Sequence, residues 1–397
     1  MRRKRLDSPH FLIRICIVMR KRVDSPHFLR GNVLYIWKRS DWPAFRRNAE
    51  RMLSPLAEAR LQQGQLLGLM ARLGFELKQQ AQLEALTEDV IKSSEIEGET
   101  LSRESVRSSV ARRLGVDYGG VAIEDRRADG VVQMVLDATT DFDAPLSQTR
   151  LWSWHGALFP TGRSGMRSIK VATWRDDADG PMQVVSGSPD RERVHYEAPP
   201  AERVGHAMEQ FVSWFNERRE PEGLLRAGIA HLWFVTVHPF EDGNGRIARA
   251  IADKALAQSE QSPQRFYSMS SQIMRERRDY YDVLGATQKG DLDITEWLLW
   301  FLGCFTRAVD AAKILCAKIL KKAEFWDHNA QLPFNDRQRK MLNALLSDFE
   351  GKLTAKKWAA MTACSIPTAQ RDINELTAHG VLVRNPGGSK NTSYDLR

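Results

Sequence analysis

Only four of the 397 residues are cysteines, Cys16, Cys304, Cys316 and Cys364, and none forms a CxxC pair or a Cys/His ligand spacing. That argues against a disulfide framework and a structural zinc site and points to a reducing, cytoplasmic setting. Cys304 and Cys316 fall in an apolar helical pattern and read as small core residues. Long apolar runs are missing too: no stretch of about 18 occurs, so no membrane span is expected. The segment IRICIV at 13–18 is too short for a signal sequence and lacks a small-residue cleavage site. Excess charge is scarce outside one place. The formal net charge is +8, but residues 1–30 hold nine Lys or Arg against two Asp, so they carry +7 and residues 31–397 only +1. A body so nearly neutral argues against nucleic-acid binding by bulk charge.

What is present begins with a duplication, RKRLDSPHFL at 3–12 and RKRVDSPHFL at 20–29. Two copies of ten residues cannot build a solenoid. Residues 1–30 are therefore expected to be a disordered basic tail, or to precede the true start at Met19 or later, with a basic targeting arm as the functional alternative. From Trp37 the pattern turns helical, with Asp41-Trp42-Pro43 resembling a cap and a ladder of Leu53, Leu56, Leu61, Leu66, Leu67, Met70 and Leu73 running to Gly74. A second helix is expected from Glu76 to about Glu97. A third should run from Arg103 to Leu114, capped by Ser102 and closed by Gly115, and a fourth over about 125–139. Trp152, Trp154, Leu158 and Phe159 mark an aromatic core helix. Between Ile169 and Pro200 the period shifts to alternation, and Ser168–Trp174, Met182–Val185 and Arg193–Tyr196 read as strands of a small hairpin. Long helices are expected at Val204–Arg218, at Leu224–Val237 and from Asp293 onward.

The densest chemistry lies at His238–Arg249, HPFEDGNGRIAR. A Gly-Asn-Gly turn that opens a helix turns backbone N–H groups and the positive helix end toward one spot, an anion cradle suited to phosphate. Gly243, Asn244 and Gly245 would form it. Arg246 and Arg249, at i and i+3, share a helix face and could clamp a polyphosphate. Asp242 could hold Mg²⁺ against phosphate oxygens, and His238 stands four residues upstream as a base.

This stretch resembles the Fic family signature HxFx(D/E)GNGRxxR at every specified position: His238, Phe240, Asp242, Gly243, Asn244, Gly245, Arg246 and Arg249. Beside it, Ser93-Ser94-Glu95-Ile96-Glu97-Gly98 matches the family's inhibitory motif (S/T)xxxE(G/N) through Ser93, Glu97 and Gly98. The resemblance implies a mainly α, Fic-type helical bundle with a β-hairpin flap over 169–200 that holds a target protein by strand addition. It also implies transfer of AMP from ATP, with Mg²⁺, to a target hydroxyl. In that scheme His238 is the base, Asp242 holds the metal, the 243–245 turn with Arg246 and Arg249 binds phosphates, and Glu97 inhibits through a bidentate pair with Arg249. Tyr280 and Tyr281 fall where adenine contacts occur in many members, and a homodimer is left open. The alternatives are removal of AMP with Glu97 orienting water, and a DNA-binding regulator that uses the domain as a nucleotide sensor.

The expected parts are a tail at 1–30, an N-terminal helical module with the inhibitory helix at 31–115, a catalytic domain at 116–328 and a C-terminal unit at 329–397. In that last unit, helices at Arg337–Leu346, Thr354–Thr362 and Pro367–His379 precede a glycine-rich hairpin, a pattern that looks like a winged helix-turn-helix. Residues 331–397 carry ten Lys or Arg against six Asp or Glu, with Thr368, Gln370 and Arg371 opening the third helix. DNA and a docked protein are the two partners this suits.

Overall fold

In the computed structural model the described residues are 15–19, 34–116, 123–186, 193–218, 220, 222–346, 349–386 and 392–397. Most of the duplicated tail, the SGSPD turn and the tip of the C-terminal hairpin therefore lie outside them. The chain divides into Met1–Ala312 and Lys313–Arg397.

The first unit starts with a strand, β1 (Ile15–Met19), and a single 3-10 turn at Ile36–Lys38. Then come α1 (Ala49–Ala71), α2 (Phe75–Ile96), α3 (Arg103–Leu114), α4 (Arg126–Thr140) and α5 (Gln148–Leu158). Two short ladders follow, β2 (Arg163–Ser164) with β3 (Arg167–Ser168), and β4 (Met182–Ser186) with β5 (Arg193–Glu197). The unit continues through α6 (Ala201–Asn216), α7 (Gly223–Val237), α8 (Asn244–Glu260), α9 (Met269–Arg275) and α10 (Arg277–Gln288), and into α11 (Thr295–His328). The fold is mainly helical, as expected.

Its centre is the pair α7 and α8, both buried along nearly their whole length. Sequence explains this: α7 (GLLRAGIAHLWFVTV) is apolar all round, which suits a helix covered on every side. Small residues let neighbours approach. A Cβ at Gly130 of α4 would stand 1.8 Å from the Ala157 carbonyl of α5, so that crossing needs glycine. Local signals explain the helix ends. Ser102 caps α3, Gly115 closes it at φ +67, and Asp125 caps α4 through the Arg127 and Ala128 amides.

Three expectations are corrected. The first long helix begins at Ala49, capped by the Asn48 side chain, and not at Trp42-Pro43. Asp41 is engaged by Arg46 at 2.9 Å, and the Trp42 ring packs edge-on against Phe45 and Trp233, so tertiary contacts claim those residues. Leu53 and Leu61, read as part of the amphipathic ladder, are 68% and 55% exposed. Residues 169–174 form no strand: Ala172 adopts φ +55 and gives its N–H to His155, and Trp174 packs on Phe240. The expected hairpin is thus the ladder β4–β5. The outer edge of β4 is paired antiparallel with β1, so a strand-adding target would have to displace β1 there.

The second unit runs from Lys313, inside α11, through α12 (Asp336–Leu345), α13 (Ala355–Thr362), α14 (Ile366–Ala378), β6 (Leu382–Arg384) and β7 (Tyr394–Leu396). Met341, Leu342, Leu353, Trp358, Ile373, Leu376 and Leu382 form its core. Three helices followed by an antiparallel hairpin is the element order expected for this segment.

Candidate active site

The α7–α8 connection is closed on itself by one side chain. Asn244 accepts the Phe240 N–H at 3.0 Å and donates to the Phe240 carbonyl at 2.8 Å, zipping the six residues between the helices into a fixed loop. Gly243 caps α8 at φ +79, and a Cβ there would meet the Phe159 ring at 2.9 Å. Both the left-handed backbone and the space require glycine.

His238 ends α7 in the left-handed region, φ +52, a conformation that costs a non-glycine residue about 1 kcal/mol and is retained only where surroundings enforce it. Arg175 is the enforcer. Buried, it donates from Nε to the His238 carbonyl at 2.8 Å, and its backbone N–H donates to the Pro239 carbonyl at 2.9 Å. The His238 ring is buried, and its Nδ1 lies 3.2 Å from the Val235 carbonyl, an arrangement that places the proton on Nδ1. Nε2 then carries the free lone pair, and it has no protein partner. Burial, with Arg175 nearby, outweighs the Val235 carbonyl and Asp242 and pushes the imidazole down to about 4.

The two signature arginines are buried, and each faces a carboxylate from the end of α2. Arg249 donates from Nε to Ser93 Oγ at 2.9 Å, and from Nη2 to both the Ser93 carbonyl at 2.8 Å and Glu97 Oε1 at 2.9 Å. The expected bidentate Glu97 pair is therefore corrected to a single contact: Ser93 takes Nε and shares Nη2 with Glu97, and Nη1 is buried without a protein partner. Burial opposes the Arg249 charge, but Glu97, with Tyr280 and Tyr281 beside it, holds its pKa above the usual guanidinium value. Glu97 also lies in the turn itself: a Cβ on Gly245 would fall 2.1 Å from its Oε1. Arg246 donates to Glu99 at 2.6 Å and lies over the Phe159 ring at 5.0 Å. The helix end that brings these acids is built locally, Gly98 standing at φ +82 just beyond it.

Asp242 is tied by both oxygens, Oδ1 to its neighbour's Gly243 N–H at 2.6 Å and Oδ2 to the Ser164 hydroxyl. His155, stacked on Phe240 at 4.2 Å, sits with Nε2 3.2 Å from the Asp242 carbonyl, and burial pushes its pKa down to about 4. Among the described residues no group of three or more His, Cys, Asp or Glu could hold a metal alone. One part-exposed carboxylate is nonetheless a donor set that Mg²⁺ accepts when substrate phosphates and water supply the rest, so Asp242 fits an ion arriving with a nucleotide.

Tyr280 is buried with its hydroxyl 2.9 Å from His231 Nε2, whereas Tyr281 is half-buried under the Arg277 guanidinium at 5.6 Å. Sequence reading missed Arg175, His155, Ser164 and Glu99. All four come from other segments, and only Glu99, one residue beyond the inhibitory motif, sat close enough to a recognised pattern to be found.

Residues 145–256 match the model of the Fic/DOC family. That segment is a Fic/DOC-type domain. Residues 35–116 match a domain of unknown function, DUF4172, a span that includes α1, α2, α3 and Glu97. A protein adenylyltransferase Fic of Nematostella vectensis is 33% identical over 119 residues, covering 28% of this chain and 25% of that protein. A probable protein adenylyltransferase of Aquifex aeolicus is 24% identical over 103 residues, 26% of this chain and 30% of that one. The matches thus span between a quarter and a third of those relatives' lengths. A crystal structure of a Fic family protein from Desulfovibrio desulfuricans shares the fold at TM-score 0.51 and 21% identity, covering 88% of this chain and 97% of that one.

Proposed function

We propose that this protein transfers AMP from ATP to a hydroxyl side chain of a target protein and that Glu97 holds it inactive. The observation that carries the reading is the His238 ring: its Nδ1–H is committed to Val235 and its Nε2 is left as an unpartnered acceptor, five residues before the Gly243–Gly245 turn. A phosphate sensor needs the cradle and the arginines but no such base. The protein's own steps are few. His238 Nε2 takes the proton of the attacking hydroxyl. The Gly243–Gly245 turn and the α8 N-terminus receive charge at phosphorus, and Arg246 and Arg249 bind the β- and γ-phosphates. Asp242 would hold Mg²⁺, which neutralises phosphate charge when bound. Because catalysis here is positioning and electrostatics, the fixed loop is as important as the base.

The test is a label position. Incubation with ATP carrying ³²P at the α-phosphate is expected to label protein, whereas label at the γ-phosphate is expected to leave with pyrophosphate. Label retained from the γ position would instead mean phosphoryl transfer and would overturn the reading.

The pH profile carries a second expectation. With its pKa at about 4, His238 is in the base form at all higher pH and loses it only as pH falls through that value. Since kcat/KM reports the free enzyme's groups, its acidic limb in a Glu97→Gly background should lie about 2.5 pH units below that of an ordinary imidazole. A limb near 6.5 would show that some other histidine, or a differently solvated His238, is the base.

A further inference from the structure

Inhibitory glutamate Glu97 covers only Arg249, and a nucleotide must engage Arg246 as well. The structure shows what Arg246 holds instead. Its Nη1 donates to Glu99 Oε2 at 2.6 Å, while its nearest other acid, Asp242, is 4.0 Å away. Arg246 is only 2% exposed in its side chain, and Phe159 covers one face of it, so the guanidinium has little freedom to seek other anions. Its Nε is buried without a protein partner.

Glu99 is positioned by the same helix ending that positions Glu97. The helix α2 closes with two reverse hydrogen bonds, Gly98 N–H to the Glu95 carbonyl at 3.0 Å and Glu99 N–H to the Ser94 carbonyl at 3.0 Å. This glycine-terminated ending needs Gly98 in the left-handed region, where it stands at φ +82. On a continuing helix, residues two apart point to opposite sides. The turn at Gly98 abolishes that divergence, and both carboxylates reach the first turns of α8. The helix is anchored from behind: Arg277 donates to the Ile96 carbonyl at 2.8 Å, and Asp89 accepts from Ser268 Oγ at 2.7 Å and the Ser270 N–H at 3.1 Å.

We propose that Glu99 is a second inhibitory carboxylate, which occupies Arg246 as Glu97 occupies Arg249. One helix end thereby covers both phosphate-binding cations, and ATP must displace two carboxylates. This rests on the nucleotide reading of the site given above. Glu99 is 38% exposed in its side chain against 16% for Glu97, so solvent weakens its hold and Glu97 remains the stronger brake.

The test compares the full-length wild type with Glu99→Gln, Glu97→Gly and the double variant, reading Mg·ATP Kd by calorimetry and self-labelling with α-labelled ATP. Glutamine keeps the shape and removes the charge. Glu99→Gln is expected to lower Kd about 3- to 10-fold at low salt, with the gain shrinking as ionic strength rises, and to leave the melting temperature without nucleotide unchanged. The double variant should bind more tightly and label faster than Glu97→Gly by a similar factor. If Glu97→Gly labels but the double variant equals it and Kd does not move, Glu99 is only a surface partner of Arg246, and the adenylyl-transfer reading stands. If nothing labels but Glu99→Gln still tightens Mg·ATP, the second carboxylate stands and the transfer reading falls. A Kd that Glu99→Gln weakens or leaves unchanged overturns the proposal in every background.

Discussion

Replacing Glu97 by glycine is expected to raise self-labelling from α-labelled ATP about 10- to 100-fold. The magnitude follows from one charge-assisted hydrogen bond to a buried partner, roughly 1.5–3 kcal/mol. Little of the fold depends on the Glu97 side chain: it is the C-cap residue of its helix, and Ser93 keeps two hydrogen bonds from Arg249 after its removal. Two consequences should therefore appear together. Nucleotide affinity should rise, because the Arg249 guanidinium and the Gly245 position are both vacated. Thermal stability should change little, because the helix stays anchored through Asp89 and Ile96. The same variant separates the two directions of chemistry. If the physiological reaction is removal of AMP with Glu97 orienting water, the substitution abolishes release of AMP from a modified target while forward labelling still rises. If labelling does not rise at all, Glu97 is not a brake.

Legibility in the sequence followed how local each feature is. Caps and terminators are decided within a turn of helix, so Ser102, Gly115 and the span Arg103–Leu114 could be read directly. The cradle was readable for the same reason: His238 to Arg249 is one contiguous stretch, and the turn, the helix N-terminus and both arginines follow from it. What failed was whatever depended on distant partners. Asp41-Trp42-Pro43 has the chemistry of a helix start, but Asp41 pairs with Arg46 and Trp42 packs with Trp233, so the backbone turns away. Residues 168–174 alternate like a strand, yet Ala172 and Trp174 are bound by His155 and Phe240. Arg175 is the clearest case. Nothing in its neighbours marks an arginine that must lose its water to support a carbonyl 63 residues away, and yet the left-handed His238 depends on it. The low pKa of His238 was equally out of reach, since desolvation is a property of the packed molecule.

Replacing His238 by alanine in the Glu97→Gly background is expected to cut labelling by roughly 10²- to 10⁴-fold, the range contributed by a positioned base. This loss is chemical because the ring holds almost nothing in place. His238 makes one side-chain hydrogen bond, to Val235 in its own last helical turn, while the loop is kept in place by Arg175 on the His238 backbone carbonyl, by Tyr196 on the Thr236 carbonyl and by Asn244 on Phe240. None of these needs the imidazole. Alanine at φ +52 is strained as histidine is, so the strain difference is small and the cradle should persist. Mg·ATP Kd should accordingly stay within about 3-fold of the Glu97→Gly parent, and the loss should fall on kcat. The depressed basicity makes this sharper. A ring with its pKa at about 4 is a modest proton acceptor in the free protein, and the triphosphate's negative charge, once bound, would draw that value upward toward neutrality. The base would thus be tuned by its own substrate, with the acidic limb of kcat lying above that of kcat/KM. Coincident limbs would show that nucleotide binding does not reach the imidazole, and unchanged labelling by the alanine variant would remove His238 from the chemistry altogether.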